Sequence, residues 1–88
     1  MSNPIDKYRD MMEGFLAGRT TAKDFQINYM KLFGNDSSAW NERDFEIANR
    51  VFTDCDVFCA DDSLRGPSDL NEEQFRSAVK EALGKLAI

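Results

Sequence analysis

The chain has 88 residues, 42% of them hydrophobic, which suffices for one domain with one modest core and is too short for two packed domains. Sixteen acidic against eleven basic residues leave a formal charge of −5, so the phosphate backbone of a nucleic acid is repelled on balance. The absence of histidine removes the usual general base near neutral pH and the commonest metal ligand. We therefore expect neither an enzyme nor a direct DNA or RNA binder.

The only two cysteines, Cys55 and Cys59, stand four residues apart within a helical pattern. This spacing places them one helical turn apart, and no second Cys/His pair completes a four-ligand zinc site. We expect free thiols in a reducing cytosol, with no metal and no cofactor. The N-terminal segment has charges of both signs and no continuous apolar stretch, so the sequence predicts no signal peptide, no membrane span and a cytoplasmic location.

A first helix is predicted at the N-terminus. Ser2 or Asn3 can cap it, Pro4 suits its first position and Gly18 ends it. Residues three and four apart form its apolar stripe: Ile5, Tyr8, Met12, Phe15 and Leu16.

A second helix follows the Gly18 break. Thr21 and Asp24 form an imperfect capping box at its start, and Gly34 stands at its end. The apolar positions again recur with helical period: Phe25, Tyr29, Leu32 and Phe33.

The third predicted helix is the longest, and the serines of the preceding loop, Ser37 and Ser38, are expected to cap it. Its apolar positions are Trp40, Ile47, Ala48, Val51, Phe52, Cys55, Phe58 and Cys59.

Gly66 and Pro67 then stop any helix, and Asp69 or Asn71 caps a fourth one. The fourth stripe consists of Phe75, Val79, Ala82, Leu83 and Leu86. No segment alternates as a strand does. Four amphipathic helices with short loops predict an all-α antiparallel four-helix bundle, formed by residues 1–88 as a single domain.

The negative charge is concentrated in one part of the chain. Residues 54–73 have a net charge of −6, whereas the segments on either side are nearly balanced. The acidic residues in this segment are Asp54, Asp56, Asp61, Asp62, Asp69, Glu72 and Glu73, and Arg65 is its only base. The sequence therefore predicts one acidic patch, formed by the end of the third helix, the following loop and the start of the fourth helix.

Helix dipoles explain part of this patch. Asp69, Glu72 and Glu73 lie near a helix N-terminus, where negative charge is favourable, whereas Asp54 and Asp56 lie toward a C-terminus, where it is unfavourable. This cost in stability favours a functional role for the pair. A cationic protein partner fits best, because clustered charge steers association and sets specificity. A solvated acidic loop without a partner is the alternative.

Three stretches of the chain resemble the colicin D immunity protein family. They are FLAGRTTAKDF (15–25), followed by Tyr29, then IANRVFTDCDVFCADDSLRG (47–66) and DLNEEQFRSAVKEALGKL (69–86). The most specific element is the Asp-x-Asp pair followed by a second acidic group and Leu-Arg-Gly. The resemblance implies a small acidic four-helix protein that binds the nuclease domain of a bacteriocin or contact-dependent toxin and shields its active site. In the type example the nuclease cleaves tRNA.

The resemblance also implies contact residues. Asp54 and Asp56 match the acidic pair of the family, and Asp61 and Asp62 extend it. We expect neighbouring contacts from Asp69, Glu72 and Glu73, and an apolar anchor from Phe58 or Leu64. The helical phase of Phe58 favours a place in the core. A monomer in a 1:1 complex with the toxin is expected.

A rival interpretation comes from the tripeptide Asp62-Ser63-Leu64. Acyl carrier proteins, which are also small, acidic and helical, attach phosphopantetheine to the serine of such a tripeptide. There the serine opens a long helix, whereas here Gly66 and Pro67 follow soon after Ser63. The sequence context therefore favours an immunity protein over a carrier.

Overall fold

The structure, a computed structural model, describes residues 4–36, 40–59, 61, 63–64, 66–67 and 69–86. It contains four helices: α1 (Ile5–Leu16), α2 (Ala22–Gly34), α3 (Glu42–Val57) and α4 (Glu72–Leu86). The described residues form no strand, and their only β-type pairing is an isolated parallel bridge between Phe58 and Leu70. The predicted all-α four-helix bundle is confirmed.

Helix α1 ends at a glycine in the left-handed region, as the sequence predicts. Gly18 has a φ of +83°, and its N–H donates to the carbonyl of Phe15 at 3.1 Å. The next N–H, of Arg19, donates to the carbonyl of Gly14 at 2.8 Å. Together these bonds form a Schellman motif, which satisfies two carbonyls at the end of α1. The predicted caps at its start, Ser2 and Asn3, lie outside the described residues.

The starts of α2 and α3 differ in how well the sequence predicts them. Thr21 caps α2 as predicted, because its Oγ1 accepts a hydrogen bond from the N–H of Asp24 at 3.1 Å. For α3 the cap is Asn41, whose Oδ1 accepts from the N–H of Asp44 at 2.8 Å. The predicted serine caps lie outside the described residues. Helix α3 therefore begins after Trp40, which the sequence analysis placed within it.

Helix α4 begins with a reciprocal capping box. The Asn71 Oδ1 accepts from the N–H of Gln74 at 2.8 Å, and the Gln74 Oε1 accepts from the N–H of Asn71 at 2.9 Å. Each side chain thereby satisfies a backbone donor that has no partner inside the helix. Of the two predicted caps, Asn71 is correct.

Helix α3 ends at Val57, one residue before Phe58 and earlier than the periodicity predicted. At Phe58 the backbone becomes extended, with φ −73° and ψ 127°. The extended chain then pairs with the approach to α4: the N–H of Leu70 donates to the carbonyl of Val57 at 2.8 Å, and the N–H of Cys59 donates to the carbonyl of Leu70 at 3.0 Å. This pairing brings the end of α3 close to the start of α4.

The four helices form a ring around one aromatic core. Each of α1 and α3 packs between α2 and α4, so α1 and α3 occupy opposite corners of the bundle. In the centre, the ring of Phe25 stacks on Phe15, and that of Phe58 stacks on Phe75, both with centroids 4.6 Å apart. The residues predicted as apolar stripes make up most of the buried cluster: Ile5, Tyr8, Met12, Phe15, Phe25, Tyr29, Ile47, Ala48, Val51, Cys55, Phe58, Phe75, Val79, Ala82 and Leu86.

Within the described part of the chain, no helix is both long enough and apolar enough to span a membrane.

Candidate protein-binding surface

Most of the predicted contact residues lie at one end of the bundle, around the Phe58–Leu70 bridge. Asp56 stands two residues before this bridge and Glu72 two residues after it. Four carboxylate side chains of this end are exposed: Asp56, Asp61, Glu72 and Glu73. The position of Asp62 lies outside the described residues. This end of the molecule therefore presents negative charge from two helices and the segment that joins them.

Asp54 does not share this surface. Its residue is only 7% exposed, and its side chain lies in the groove between α3 and α4. There its Oδ1 is 3.6 Å from the Nε of Arg50, one turn earlier on α3. Burial raises the pKa of the Asp54 carboxyl, the Arg50 cation opposes that rise and Glu81 adds to it. Asp54 is thus a nearly buried carboxylate held mainly by its own helix.

The groove around Asp54 is open and has a volume of about 1020 Å³. Charges of both signs line it, and several are already engaged with each other. The guanidinium of Arg43 donates to the carbonyl of Lys85, and the Nζ of Lys85 lies 3.9 Å from the Oε1 of Glu81. These polar contacts therefore link α3 to α4 across the groove. The groove contains charges of both signs, whereas the neighbouring end of the bundle is negative.

Two of the predicted contacts, Asp61 and Leu64, lie in a turn within the segment between α3 and α4. The Oδ1 of Asp61 accepts from both the N–H and the Oγ of Ser63, at 2.9 and 2.7 Å. Leu64 follows and is 74% exposed. Ser63 lies in this turn, where no helix begins, so it lacks the helical setting of a carrier-protein serine. The turn instead projects an apolar side chain next to an acidic one.

Asp69 and Glu72 also make local contacts. The Oδ2 of Asp69 accepts from the N–H of Gly66 at 2.9 Å, which closes the turn before α4. The Oε2 of Glu72 is 3.5 Å from the Nε of Arg76, on an exposed face of α4. Arg76 itself lies over the ring of Phe15 and donates to its carbonyl at 3.2 Å. Part of the charge in this region is therefore engaged in holding α4 to α1.

Phe58 is a core residue. It is 5% exposed and stacks on Phe75, so it takes the core position that the sequence favours although it follows the end of α3. The Nε2 of Gln26 on α2 donates to the carbonyls of Cys55 and Phe58, at 2.7 and 3.1 Å. The Cys55 carbonyl also accepts from the N–H of Phe58 at 3.3 Å, so Gln26 adds a second donor there and a donor to the Phe58 carbonyl beyond the end of α3. Of the two predicted apolar anchors, Leu64 is therefore the one at the surface, whereas Phe58 supports the surface from beneath.

The structure draws attention to two residues that the sequence analysis did not single out, Gln26 and Phe45. Gln26 holds the end of α3 through hydrogen bonds to residues 29 and 32 positions away in the sequence. No local sequence pattern predicts bonds of such long range. Phe45 on α3 is 44% exposed although it is aromatic. In this case the sequence does hold a signal, because Phe45 precedes Ala48 by three residues and Phe52 by seven, which places it at the edge of the apolar stripe of α3.

Comparison with known proteins identifies a family. The model of a family described as bacterial self-protective colicin-like immunity matches residues 1–86, which include all four helices and the acidic segment. No curated protein and no solved structure gives a significant match.

Proposed function

The chain belongs to the colicin-like immunity family and is therefore an immunity protein, and on that premise we propose that it neutralises a cognate nuclease toxin by covering the basic active site of the toxin. The covering surface is the acidic edge, which we define as the exposed carboxylates of Asp56, Asp61, Glu72 and Glu73. The clustering of these four groups where α3 ends and α4 begins is the observation that supports the proposal best. Inhibition of this kind needs no catalytic group in the immunity protein.

Electrostatic complementarity links the acidic edge to a nuclease. A nuclease must hold the phosphates of its substrate, and it does so with cationic side chains or metal ions. Carboxylates at the same positions compete with those phosphates and exclude the substrate sterically. The resemblance to colicin D immunity proteins further favours a toxin that cleaves tRNA. We propose a 1:1 complex of two monomers in the bacterial cytoplasm.

The decisive experiment pairs this chain with the C-terminal domain of a toxin encoded beside it. The two are co-expressed with a tag on the immunity protein only, and we expect them to elute as one complex. Expression of the toxin domain alone should stop growth, and the immunity protein should restore it. Purified toxin should cleave tRNA, and an equimolar amount of immunity protein should stop the cleavage. Elution as separate proteins, with no rescue of growth, would refute the proposal.

A second arm of the same experiment tests the acidic edge. The double variant Asp56→Asn/Glu73→Gln removes two exposed charges that make no ion pair within the described part of the chain. We expect slower association with the toxin and a weaker dependence of the association rate on salt. The matched control Asp10→Asn/Glu13→Gln removes two exposed charges from α1, at the opposite corner to α3, and should associate as the wild type does. Equal association rates for the two variants would place the contact elsewhere.

A further inference from the structure

An aromatic cluster lies at the surface between α2 and α3, apart from the acidic edge. Phe33 is at its centre, with ring centroids 5.3 Å from Phe52, 5.9 Å from Phe45 and 6.0 Å from Trp40. Trp40 and Phe45 are themselves 6.2 Å apart. None of the four residues is fully buried, and Phe45 is 44% exposed. We name these four residues the aromatic face.

The aromatic face extends outside the core rather than being a part of it. Its inner rings, Phe33 and Trp40, contact the buried ring of Tyr8 at 5.8 and 5.3 Å. Phe45 contacts only rings of the face itself among the ring pairs of the described residues, and it leaves nearly half of its surface in water. Phenylalanine has a lower helix propensity than lysine or glutamate, so the helix itself does not favour Phe45 at this half-exposed position. Contiguous aromatic residues that are only partly buried are typical of protein-binding sites.

A line of acidic and polar side chains borders the aromatic face on its α3 side. Glu42, Glu46, Asn49, Thr53 and Asp56 follow one another at spacings of four and three residues, which places them along one side of the helix. All five are exposed. Within the described part of the chain, the carboxylates of Glu42, Glu46 and Asp56 make no ion pair. We name this line the acidic ridge.

The cations of α3 do not neutralise the acidic ridge. Arg50 is directed to Asp54, and Arg43 donates to the carbonyl of Lys85, so both reach toward α4 and away from α2. Glu46, Asn49 and Thr53 also line the groove that holds Arg43 and Arg50, but the charged side chains of the ridge itself are all acidic. The aromatic face therefore has an apolar centre next to a border whose own charges are negative. An apolar centre with a polar rim is the usual anatomy of a protein interface, and aromatic residues are enriched among its strongest contacts.

We propose that the aromatic face and the acidic ridge form a second contact region for the toxin domain, with Phe45 as its apolar anchor. This inference rests on the proposed function and extends it. The partner surface is an apolar recess bordered by lysine or arginine. Asp56 belongs to both the acidic edge and the acidic ridge, so the two regions are continuous along α3. Glu42 and Glu46, which lie outside the acidic segment 54–73, thereby contact the partner.

Charge argues against a second copy of this chain as the occupant. A two-fold dimer brings the same patch of both copies together, so two acidic ridges would meet on molecules that each have a net charge of −5. Like charges placed opposite each other weaken an interface and select against that partner. A basic toxin surface has no such conflict.

The test uses the only tryptophan of the chain, Trp40, as a reporter. The immunity protein is labelled with 5-fluorotryptophan, and its single ¹⁹F resonance is recorded with and without unlabelled toxin domain. We expect the resonance to shift on binding, because the partner covers the aromatic face. A resonance that stays unchanged in a formed complex would overturn the inference. This readout needs no substitution, so it does not depend on the folding of a variant.

Binding affinity provides the second measurement. We expect Phe45→Ser to weaken the complex by about 10- to 100-fold, and Phe45→Leu to retain most of the affinity because it keeps an apolar side chain. Unchanged affinity of Phe45→Ser, with circular dichroism showing a folded protein, would remove Phe45 as an anchor. Glu42→Gln/Glu46→Gln should slow association, whereas Asp10→Asn/Glu13→Gln should not.

The outcomes separate the inference from the function on which it rests. A toxin that does not bind the wild-type chain refutes the proposed function. A toxin that binds through the acidic edge alone, leaving the Trp40 resonance and the Phe45→Ser affinity unchanged, refutes only the aromatic contact. Concentration-dependent dimerisation of the isolated immunity protein, accompanied by a shift of the Trp40 resonance, would identify a second copy as the occupant and also overturn the inference.

Discussion

Asp54 and Asp56 are separated by one residue on α3, yet their carboxylates lie on different sides of the helix. Asp54 is buried in the groove toward α4, whereas Asp56 is exposed on the outer surface. A helix turns by about 100° per residue, so the side chains of two residues that are two positions apart point in nearly opposite directions. The two aspartates of the Asp-x-Asp element therefore have different tasks, and a substitution at each should affect a different measurement.

The first prediction compares these two positions. Asp56→Ala should slow association with the toxin roughly 3- to 10-fold and leave the free energy of unfolding within about 0.5 kcal/mol of wild type. Asp54→Ala should change the free energy of unfolding and leave the salt dependence of association as it is in wild type, because its charge is not at the surface. Stopped-flow association at several salt concentrations and urea denaturation of each variant measure the two effects. If Asp54→Ala, rather than Asp56→Ala, slowed association, the partner would contact the groove.

The second prediction concerns pH and Asp54. Burial raises the pKa of this carboxyl in the folded protein above the 3.8 of the free side chain. The folded state therefore binds the proton more tightly than the unfolded chain does. The resulting stabilisation is complete below pH 3.8 and is lost as the pH rises through the raised pKa. At pH 7 Asp54 is thus a destabilising buried anion, held in part by Arg50.

Asp54→Asn mimics the protonated carboxyl, so it should raise the free energy of unfolding at pH 7 by about 1 kcal/mol. The difference between Asp54→Asn and wild type should shrink as the pH falls toward 4, because wild type then becomes neutral at this site as well. Thermal unfolding across this pH range measures the difference. As a control, Asp10→Asn on the exposed face of α1 should show no such trend. If the difference in free energy of unfolding between Asp54→Asn and wild type did not change with pH, the raised pKa of Asp54 would be excluded as its cause.

Periodicity predicted the helices well because each one buries a regular apolar stripe. The same argument explains why periodicity placed Cys59 within the third helix, although α3 ends at Val57. An apolar residue fits the buried side of a helix and the buried side of an extended segment alike, so a period cannot show where α3 gives way to the bridge at Phe58. The prediction of serine caps for α3 was wrong for a similar reason. Serine and asparagine both cap helices, and only the geometry shows that Asn41 does so here.

For the candidate surface, the sequence indicates charge more readily than geometry. The count of acids identified residues 54–73, but only the phase of α3 separates Asp54 from Asp56. Composition also gave no sign of Gln26, whose contacts with α3 depend on the tertiary fold. Phe45 is different, because its spacing of seven residues from Phe52 places it at the edge of the apolar stripe, and this is visible in the sequence. An aromatic residue at the boundary between the apolar and polar sides of a predicted helix therefore indicates a candidate surface contact.

The third prediction tests the support that Gln26 gives to the end of α3. Gln26→Ala leaves the carbonyls of Cys55 and Phe58 without this donor, so we expect a loss of about 1–2 kcal/mol in the free energy of unfolding. Asn28→Ala, at an exposed position of the same helix, is the matched control and should cost less than about 0.5 kcal/mol.

Hydrogen exchange locates the effect of Gln26→Ala. The amides of Cys59 and Leu70 pair across the bridge, and both should exchange faster in this variant than in Asn28→Ala. If their exchange were unchanged, the bridge would hold the end of α3 without help from α2, and Gln26 would contribute only to global stability.

The fourth prediction concerns the contact between Tyr8 and Asp36, which fixes the end of α2 against α1. The Tyr8 hydroxyl donates to the Asp36 Oδ2 at 2.6 Å, and the Nζ of Lys7 lies 3.2 Å from the same oxygen. The Asp36 side chain is only 3% exposed. Burial of Tyr8, followed by its hydrogen bond to Asp36 and the negative charge of that carboxylate, raises the pKa of the tyrosine, so the hydroxyl stays a donor throughout the physiological range.

Tyr8→Phe keeps the ring and removes the donor, so it should lower the free energy of unfolding by about 1–3 kcal/mol. Lys7→Gln should cost less, because Lys7 is half-exposed and water screens its charge. Urea denaturation compares the two variants, and Trp40 fluorescence adds a local readout, since its ring lies 5.3 Å from that of Tyr8. Equal losses for Tyr8→Phe and Lys7→Gln would show that charge, rather than the hydroxyl, anchors Asp36. A larger loss for Tyr8→Phe, with altered Trp40 emission, would show that the hydroxyl also positions the aromatic face.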